Sequence, residues 1–349
     1  MRSVPAPETL PAIAVVVVCH NSADALPDTL PALAEQLGPD DEVVIVDNAS
    51  TDDGAALART LLPRATVIAA PGNVGFASGC HIGARASHAP LLLLLNPDAV
   101  PQPGFLDALR GAAADHPGWG AWQALVTMDG GRVVNTAGNL VHWLGFGWAG
   151  GLGEPVDAVP PGDREVGFPS GAALIVRRSS WDALGGFDER YFMYGEDLDL
   201  GLRLRVAGEG VGIVPAARAD HDYTFVKGDY KWFYLERNRW WTVLGAYPAP
   251  LLALVLPALL VFELALLLAA ARGGWLRPKL RAQVAVLRAL PQILRRRRAV
   301  QASRAVSARA FAGGLTASLD SPVIGEASSS SALATLQRGF WRAVLAVLR

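Results

Sequence analysis

AIAVVVVCHNS, residues 12–22, is the stretch that decides the fold. Ile13 and Val15 to Val18 sit in a continuous apolar run without alternation, and the run stops at a polar turn. A strand with one wet face alternates apolar and polar positions, whereas a strand buried on both faces does not. The run therefore predicts a strand inside a parallel sheet covered by helices. Two more runs of this kind follow at residues 42–46 and 91–95, with a weaker one at 66–70. The three strong runs end in small polar residues, CHNS, DNAS and NPDA, and Ala-rich, helix-like segments separate them. Strands alternating with helices predict a right-handed, mostly parallel α/β sheet whose ligands gather at the carboxyl ends of the strands. The polar tails are where chemistry is to be sought.

The rest of the chain bounds the possibilities. It has 349 residues, 51% hydrophobic and 18% charged, with net charge -1. That is too apolar for a disordered chain, and the charge balance does not suit a nucleic-acid binder, so no nucleic-acid partner is expected. Cys19 and Cys80 are too few for a disulfide framework or a zinc site, which suits a reducing compartment. Pro5, Pro7 and Pro11 lead straight into the first strand, so the expectation is a cytoplasmic N-terminus without a signal peptide. Between Leu264 and Leu319 there is no Asp or Glu against eleven Arg or Lys. Such a basic C-terminal part suits anionic lipid.

Each polar tail admits two readings. In DNASTDDG, residues 47–54, Asp47 can accept from an imide N–H or a ribose hydroxyl, or Asn48 and Ser50 can simply cap a helix. In GNVGFASGCHIGA, residues 72–84, four glycines let the backbone approach a ligand closely, or make a plain turn. The segment is neither GxGxxG nor a Walker loop. LLLLLNPDA places Asp98 beyond a strand and beside Pro97, where a carboxylate can hold Mg²⁺ or Mn²⁺ against a diphosphate; NPD also makes turns. In GGFDERYFMYGEDLDLGLRLRVAGEG, residues 185–210, Glu196, Asp197 and Asp199 open a helix with Leu198, Leu202 and Val206 on its apolar face. The helix dipole favours carboxylates there. It does not explain the aromatic run Tyr191, Phe192 and Tyr194 before them.

Taken together and in order, these five motifs resemble the inverting nucleotide-sugar transferases of glycosyltransferase family two, which have the GT-A fold. The likeness is to the rhamnosyltransferase-like members of bacterial polysaccharide assembly. It spans residues 13–221, with ERNRWW at 236–241 as a further family-like stretch. The resemblance implies that Asp47 contacts the nucleotide. It implies that the loop with Asn73, Gly75, Phe76 and Gly79 lines the donor, beside Asn21, Asn48 and Asn96. Asp98 is then the metal-ligating member of a DxD-like triplet, and His221 closes the metal site; the alternative for His221 is an ordinary core or surface histidine. Asp197 is implied as the base that takes the acceptor hydroxyl proton, with Glu196 supporting the acceptor or its loop. One carboxylate suffices for inverting transfer, unlike the pair that hydrolysis needs. Three positions depart from the family pattern: Asn96 stands where an aspartate is frequent, His81 where asparagine is common and His20 where tyrosine is common.

The chain divides by composition into a catalytic GT-A domain at residues 1–228, an aromatic, apolar and basic helical region at 229–312, and a linker with a last amphipathic helix at 313–349. Residues 251–271 resemble a membrane span: Glu263 costs about 3 kcal/mol at the bilayer centre, and each of ten leucines returns roughly 0.3–0.6 kcal/mol. A single span would export Arg295 to Arg298, against the positive-inside rule. The expectation is therefore a segment dipping into or lying along the inner leaflet, bent at Pro257. A helix with Leu276, Leu280, Val284 and Leu287 on one stripe and Arg277, Arg281 and Arg288 around it follows, suited to anionic lipid. The alternative is a helical hairpin packed on the catalytic domain or on a second subunit of a homo-oligomer. The ten tryptophans are read as core rather than as sugar platforms. The resulting expectation is a transferase on the cytoplasmic membrane face. It takes rhamnose from a UDP- or dTDP-linked donor and adds it to a saccharide on a polyprenyl diphosphate. The rivals are a sugar-1-phosphate nucleotidyltransferase and a non-catalytic membrane scaffold with the same fold.

Overall fold

The structure is a computed structural model describing residues 10–222, 228–319 and 331–348. Of the low-complexity serines at 328–331, expected as a linker, 328–330 lie outside the described residues and Ser331 opens the last helix.

The chain runs β1 (Ile13–Cys19), α1 (Leu26–Ala34), β2 (Glu42–Asp47), α2 (Gly54–Leu61), β3 (Thr66–Ala69), α3 (Phe76–Arg85) and β4 (Leu91–Leu95). After these come β5 (Val100–Pro101), α4 (Phe105–Asp115), β6 (Trp119–Met128), β7 (Val133–Thr136), β8 (Asn139–Val141), β9 (Gly147–Ala149) and β10 (Arg164–Glu165). The catalytic half closes with β11 (Ala173–Arg177), α5 (Arg178–Leu184), α6 (Glu196–Val206) and β12 (Gly210–Asp220). The helices α7 (Asp229–Ala246), α8 (Ala249–Arg272), α9 (Leu276–Ala302), α10 (Ala308–Ala312) and α11 (Ser331–Val347) follow.

Ten strands form one sheet in the order β10-β12-β6-β11-β4-β1-β2-β3, with β5 beside β12 and β7 beside β6. Strands β4, β1, β2 and β3 are mutually parallel. Strand β11 runs antiparallel between β4 and β6, and β12 lies parallel to β6. The excursion between Gly130 and Gly167 supplies β7, the β8–β9 hairpin and β10.

All seven residues of β1 are buried, as the continuous run requires. Ile13, Val15 and Val17 enter the core under α1 and α4, while Ala14, Val16 and Val18 enter the core under α3. Each fully buried aliphatic side chain contributes roughly 1.5–3 kcal/mol, so the sheet centre anchors the fold. Seven of the tryptophans, from Trp119 to Trp241, are buried, so those between residues 119 and 148 serve the core.

One hydrophobic core crosses Asp229. Val141, Trp143, Phe168, Leu198 and Leu202 pack with Trp240, Tyr247, Leu251, Val286, Ile293 and Trp341. Helix α8 is one continuous helix with Pro257 inside it, and among the described residues it is the one helix long and apolar enough to cross a membrane by length and composition. It turns Leu251, Val255, Leu259 and Glu263 inward and leaves Leu260, Val261, Leu264 and Leu268 exposed. Glu263 faces protein: its carboxylate meets Lys279 Nζ at 2.6 Å and Arg239 Nη2 at 2.6 Å, and both cations also meet Glu236. On its inner face α8 therefore forms the helical hairpin with α9, packed against the catalytic half.

Candidate active site

The polar tails do converge at the carboxyl ends of β1, β2 and β4. Asp47 and Cys19 are register partners at the ends of β2 and β1. The negative field of Asp47, Asp52 and Asp98 reaches Cys19; together with burial, which weighs more, it pushes that thiol up to about 12. Several carboxylates thus share one strand-end cleft, where a cation or hydrogen-bond donors on a ligand would be favourable.

The first two tails brace each other. Asn21, in the left-handed region at φ 53°, accepts from Thr51 N at 2.8 Å and from the Thr51 hydroxyl at 3.1 Å. Asp47 Oδ1 accepts from Ser50 N at 2.9 Å, and the helix cap offered as the alternative does not form: Ser50 Oγ accepts from Asn21 N, Asn48 Oδ1 from Val74 N, and α2 starts after Asp53. Its second oxygen takes no bond among the described residues. Asn48 donates to Asn73 at 3.1 Å and accepts from Val74 N at 2.8 Å, and Asn73 in turn accepts from Gly75 N at 3.1 Å. His20 Nδ1 lies 2.9 Å from the Asn48 carbonyl. The amides of Asn21, Asn48 and Asn73 thus brace the loops after β1, β2 and β3 from within.

The glycines correct the reading of the 72–84 segment. A Cβ on Gly79 would stand 2.6 Å from Val18 Cγ1, so this glycine lets α3 settle on β1 and does not line the cleft. At Gly75, φ is +84° and a Cβ would collide with the Phe192 ring and carbonyl at 2.5 Å, so the close approach there is by the protein's own loop. His81 is similarly structural, with Nε2 2.7 Å from the Phe187 carbonyl.

The third tail meets the acidic helix. Asn96 N donates to the Ala172 carbonyl at 2.9 Å, and the adjacent Gly171 N donates to Asp197 Oδ2 at 2.9 Å. Phe76 closes the same corner, 3.6 Å from where a Cβ on Gly171 would lie. Asp197 Oδ1 accepts from Leu198 N at 2.7 Å, and the residue is half-buried. Burial raises its pKa above the usual carboxylate value, against the lowering by the Gly171 and Leu198 amides. Glu196 is buried beside Cys80, and its Oε2 takes no hydrogen bond among the described residues. Burial, then the Asp197 charge, push Glu196 up to about 8. Asp199 is occupied by structure: it pairs with Arg203 Nε at 2.8 Å, with Arg296, and with the Tyr191 hydroxyl at 3.0 Å. Burial raises its pKa, but the two guanidinia win and hold it below the usual value.

Asp98 and His221 are brought together, with Asp98 Oδ1 3.1 Å from His221 Nε2. They come from different strands. A register shift between Val214 and Arg218 lets β12 run to Asp220, which delivers His221 to the end of β4. Burial raises the Asp98 pKa, but the hydrogen bond and charge of His221 outweigh it and hold it below the usual value. Among the described residues no group of three or more His, Cys, Asp or Glu side chains stands ready for a metal. One carboxylate and one imidazole fit a divalent cation whose remaining ligands are diphosphate oxygens and water, the arrangement hard cations take with nucleotides.

Residues without a sequence assignment hold the loop that leads into α6. Phe192 (φ 64°), Tyr194 (φ 67°) and Gly195 (φ 83°) are all in the left-handed region just before Glu196. Two such non-glycine residues cost of order 1–3 kcal/mol each and persist only when their surroundings over-determine them. Asn238 of α7 does so, donating to the carbonyls of Tyr191, Met193 and Tyr194 at 3.2, 3.0 and 2.6 Å. Arg237 adds bonds to the Arg190 and Tyr191 carbonyls, and Ala77 N donates to the Phe192 carbonyl at 3.2 Å. Asn238 lies inside ERNRWW, so its motif was visible in the sequence although its partners were not.

A sheet whose strands β3, β2, β1, β4, β6 and β12 run parallel, with antiparallel β11 inserted between β4 and β6, carboxylates at its strand ends and an acidic helix beside them define the GT-A fold of nucleotide-sugar enzymes. The solved structure of GalNAc-T7 with UDP, GalNAc and Mn²⁺ shares the fold at TM-score 0.57, with 14% identity over 69% of this chain and 49% of that one. The mannosyltransferase PcManGT from Pyrobaculum calidifontis, solved with GDP-Man and Mn²⁺, gives TM-score 0.50 and 17% identity over 99% of this chain and 88% of its own. The chain belongs to the family 2 glycosyltransferases: the family models Glycosyl transferase family 2 and Glycosyl transferase family group 2 match residues 14–152 and 91–289. It is similar to the N-acetylglucosaminyl-diphospho-decaprenol L-rhamnosyltransferase of Mycobacterium tuberculosis, at 32% identity over 229 residues, 59% of this chain and 75% of that protein.

Proposed function

We propose that this chain is an inverting, divalent-metal-assisted rhamnosyltransferase. Its donor is a UDP- or dTDP-linked sugar, and its acceptor is a saccharide carried on a polyprenyl diphosphate in cell-surface polysaccharide synthesis. The reading is carried by the chain of contacts from Asp197 through Gly171 and Ala172 to Asn96, two residues before the Asp98–His221 pair, in a family member similar to a rhamnosyltransferase named for a diphospho-decaprenol acceptor.

Asp47 presents a free carboxylate oxygen for the nucleoside, and Asn48 and Asn73 fix the loop beside it. Asp98 and His221 would hold Mg²⁺ or Mn²⁺, which neutralises charge on the departing nucleoside diphosphate; GalNAc-T7 and PcManGT were both solved with Mn²⁺. Asp197, oriented by the Gly171 and Leu198 amides, takes the proton of the acceptor hydroxyl as that oxygen attacks the anomeric carbon from the face opposite the leaving group. Glu196, held largely neutral at pH 7, supports the loop. The exposed apolar stripe of α8 and the basic face of α9 support peripheral or monotopic attachment to anionic lipid at the inner leaflet, on the cytoplasmic side where nucleotide sugars are made.

The test uses full-length protein, a panel of UDP- and dTDP-sugars, and polyprenyl-diphosphate-linked N-acetylglucosamine in detergent. Transfer from one donor, abolished by EDTA and restored by Mn²⁺ or Mg²⁺, with inverted anomeric configuration, is the expected outcome. Asp98→Ala should lose metal-dependent donor binding. A protein that binds no nucleotide sugar, or an Asp98→Ala variant with unchanged EDTA-sensitive affinity, overturns the corresponding part of the reading.

A further inference from the structure

Between α7 and α9 the surface forms an open groove of about 790 Å³. Its apolar lining is Phe233 of α7 with Leu276, Leu280 and Val284 of α9. Leu280 is 46% and Val284 44% exposed, so the groove leaves hydrocarbon uncovered in the protein alone. Arg277, Arg281 and Arg288 stand along the same groove, and among the described residues no carboxylate lines it. Among the described residues these three guanidinia make no hydrogen bond or ion pair; Arg281 only stands 5.6 Å from the Phe233 ring. Arg277 and Arg281 are four residues apart on one helix, about 5–6 Å between β-carbons, near enough to grip one diphosphate together.

These features describe an amphiphile with a compact polyanionic head and a hydrocarbon tail. A flat bilayer surface needs a convex helix face, which α8 offers with Leu260, Val261, Leu264 and Leu268. A concave site with an apolar floor suits a single chain. Its position is equally specific. Phe233 packs edge-on against Tyr234 at 5.2 Å, and Tyr234 stacks on Phe192 at 5.3 Å. Phe192 belongs to the strained loop that leads into Glu196 and Asp197. The groove therefore touches, through two aromatic rings, the loop that presents the acceptor side of the cleft.

We propose that this groove holds the isoprenoid-diphosphate part of the acceptor. Arg277 and Arg281 take the diphosphate, and Phe233, Leu280 and Val284 cover the first isoprene units. The assignment rests on the functional reading above, and its test separates the two. Farnesyl diphosphate is the probe, titrated into full-length protein and followed by the fluorescence of Trp275 and Trp232, which stack at 4.3 Å beside the groove. Arg277→Gln with Arg281→Gln should weaken binding tenfold or more, as should Val284→Glu, which fills the floor and leaves both arginines. Farnesol and inorganic diphosphate should each bind the wild type at least tenfold more weakly than the probe. Equal affinity of wild type and double variant overturns the proposal. So does a double variant that loses phosphatidylglycerol vesicles but keeps farnesyl diphosphate, because the arginines would then serve the bilayer surface. Nucleotide-sugar affinity in the same samples should be unchanged, which shows the variants folded. If wild type binds farnesyl diphosphate through these residues but no nucleotide sugar, the groove stands and the transferase reading falls; the reverse pattern leaves the transferase and removes the groove.

Discussion

Replacing Asp197 by Asn separates proton removal from substrate binding. The amide is isosteric and keeps one oxygen for either the Gly171 or the Leu198 N–H, now shared at 2.9 and 2.7 Å by the two carboxylate oxygens. The other backbone N–H is left facing an NH₂ group, at about 1–3 kcal/mol, which an ordinary domain tolerates. The amide cannot take the acceptor proton, so transfer should fall by about 10²–10⁴. The donor contacts assigned to Asp47, Asp98 and His221 are elsewhere, so the donor Kd should stay within about twofold. Glu196→Gln is the paired variant. Its carboxyl is buried and pushed up to about 8, so at pH 7 it is already mostly neutral, and Gln should cost less than tenfold in rate. The same shift gives a stability signature. Between the usual carboxylate pKa and about 8 the folded protein retains a proton that the unfolded chain has released, so this group makes stability fall as pH rises through that window. Glu196→Gln should remove that slope, of order a few kcal/mol, seen as a flatter Tm between pH 5 and 9. Initial rates at saturating substrates, donor titrations and thermal unfolding provide the three readouts. If Asp197→Asn turns over near the wild-type rate while Glu196→Gln is inactive, the two roles must be exchanged; if both remain active, the base lies elsewhere.

Two further outcomes test the C-terminal helices. Leu264→Glu with Leu268→Glu changes side chains that are 64% and 60% exposed, so the fold should persist while the protein leaves the membrane fraction; burial of two leucines is worth about 3–6 kcal/mol, or more than 10²-fold in partitioning. Sedimentation of the variant with membranes as completely as wild type would show that α8 is not the lipid contact, and high salt alone should release little wild type. Arg296→Gln removes the guanidinium that meets Asp188 Oδ2 at 2.8 Å and also Asp199, so kcat should fall with donor Kd unchanged, and Arg296→Lys should restore part of it. A lower Tm with unchanged kcat would make Arg296 structural only.

Much of this was legible in the sequence because β1, β2 and β4 are buried on both faces and announce it with continuous apolar runs. Strands β6 and β11 announce less. Gln123 interrupts β6 with a polar side chain, yet it is fully buried, satisfied by Ser170 N at 2.9 Å and the Ala124 carbonyl at 3.0 Å. The carboxylates Asp47, Asp98 and Asp197 could be singled out by type and spacing, since each follows a strand or opens a helix. Their surroundings could not. No residue type signals that Phe192 and Tyr194 take positive φ, and glycines that read as room for a ligand, Gly75 and Gly79, instead admit Phe192 and Val18. Nor does spacing reveal that Asn238 reaches back more than forty residues to hold the loop.

The same geometry bears on membrane attachment. The sequence posed it as the cost of Glu263 against the gain of ten leucines, and the topology as the export of Arg295 to Arg298. In the fold Glu263 is neutralised by Lys279 and Arg239, so it is not charged against the apolar face of α8. Arg296 and Arg297 are not free to be exported. The first closes on Asp188 and Asp199, and the second donates to the carbonyls of Leu244 and Tyr247 at 2.9 and 2.7 Å. Helix α9 therefore returns to the catalytic half, and both ends of the α8–α9 hairpin sit against it. Asp188 precedes the strained loop and Asp199 follows the carboxylate pair, so Arg296 ties together the two ends of the segment that carries Glu196 and Asp197. The hairpin that offers leucines outward is, on its inner side, part of the scaffold of Asp197, the proposed base. Under the proposed function, an acceptor held at its surface and the loop that would deprotonate it share one support, as transfer to a lipid-anchored sugar would require.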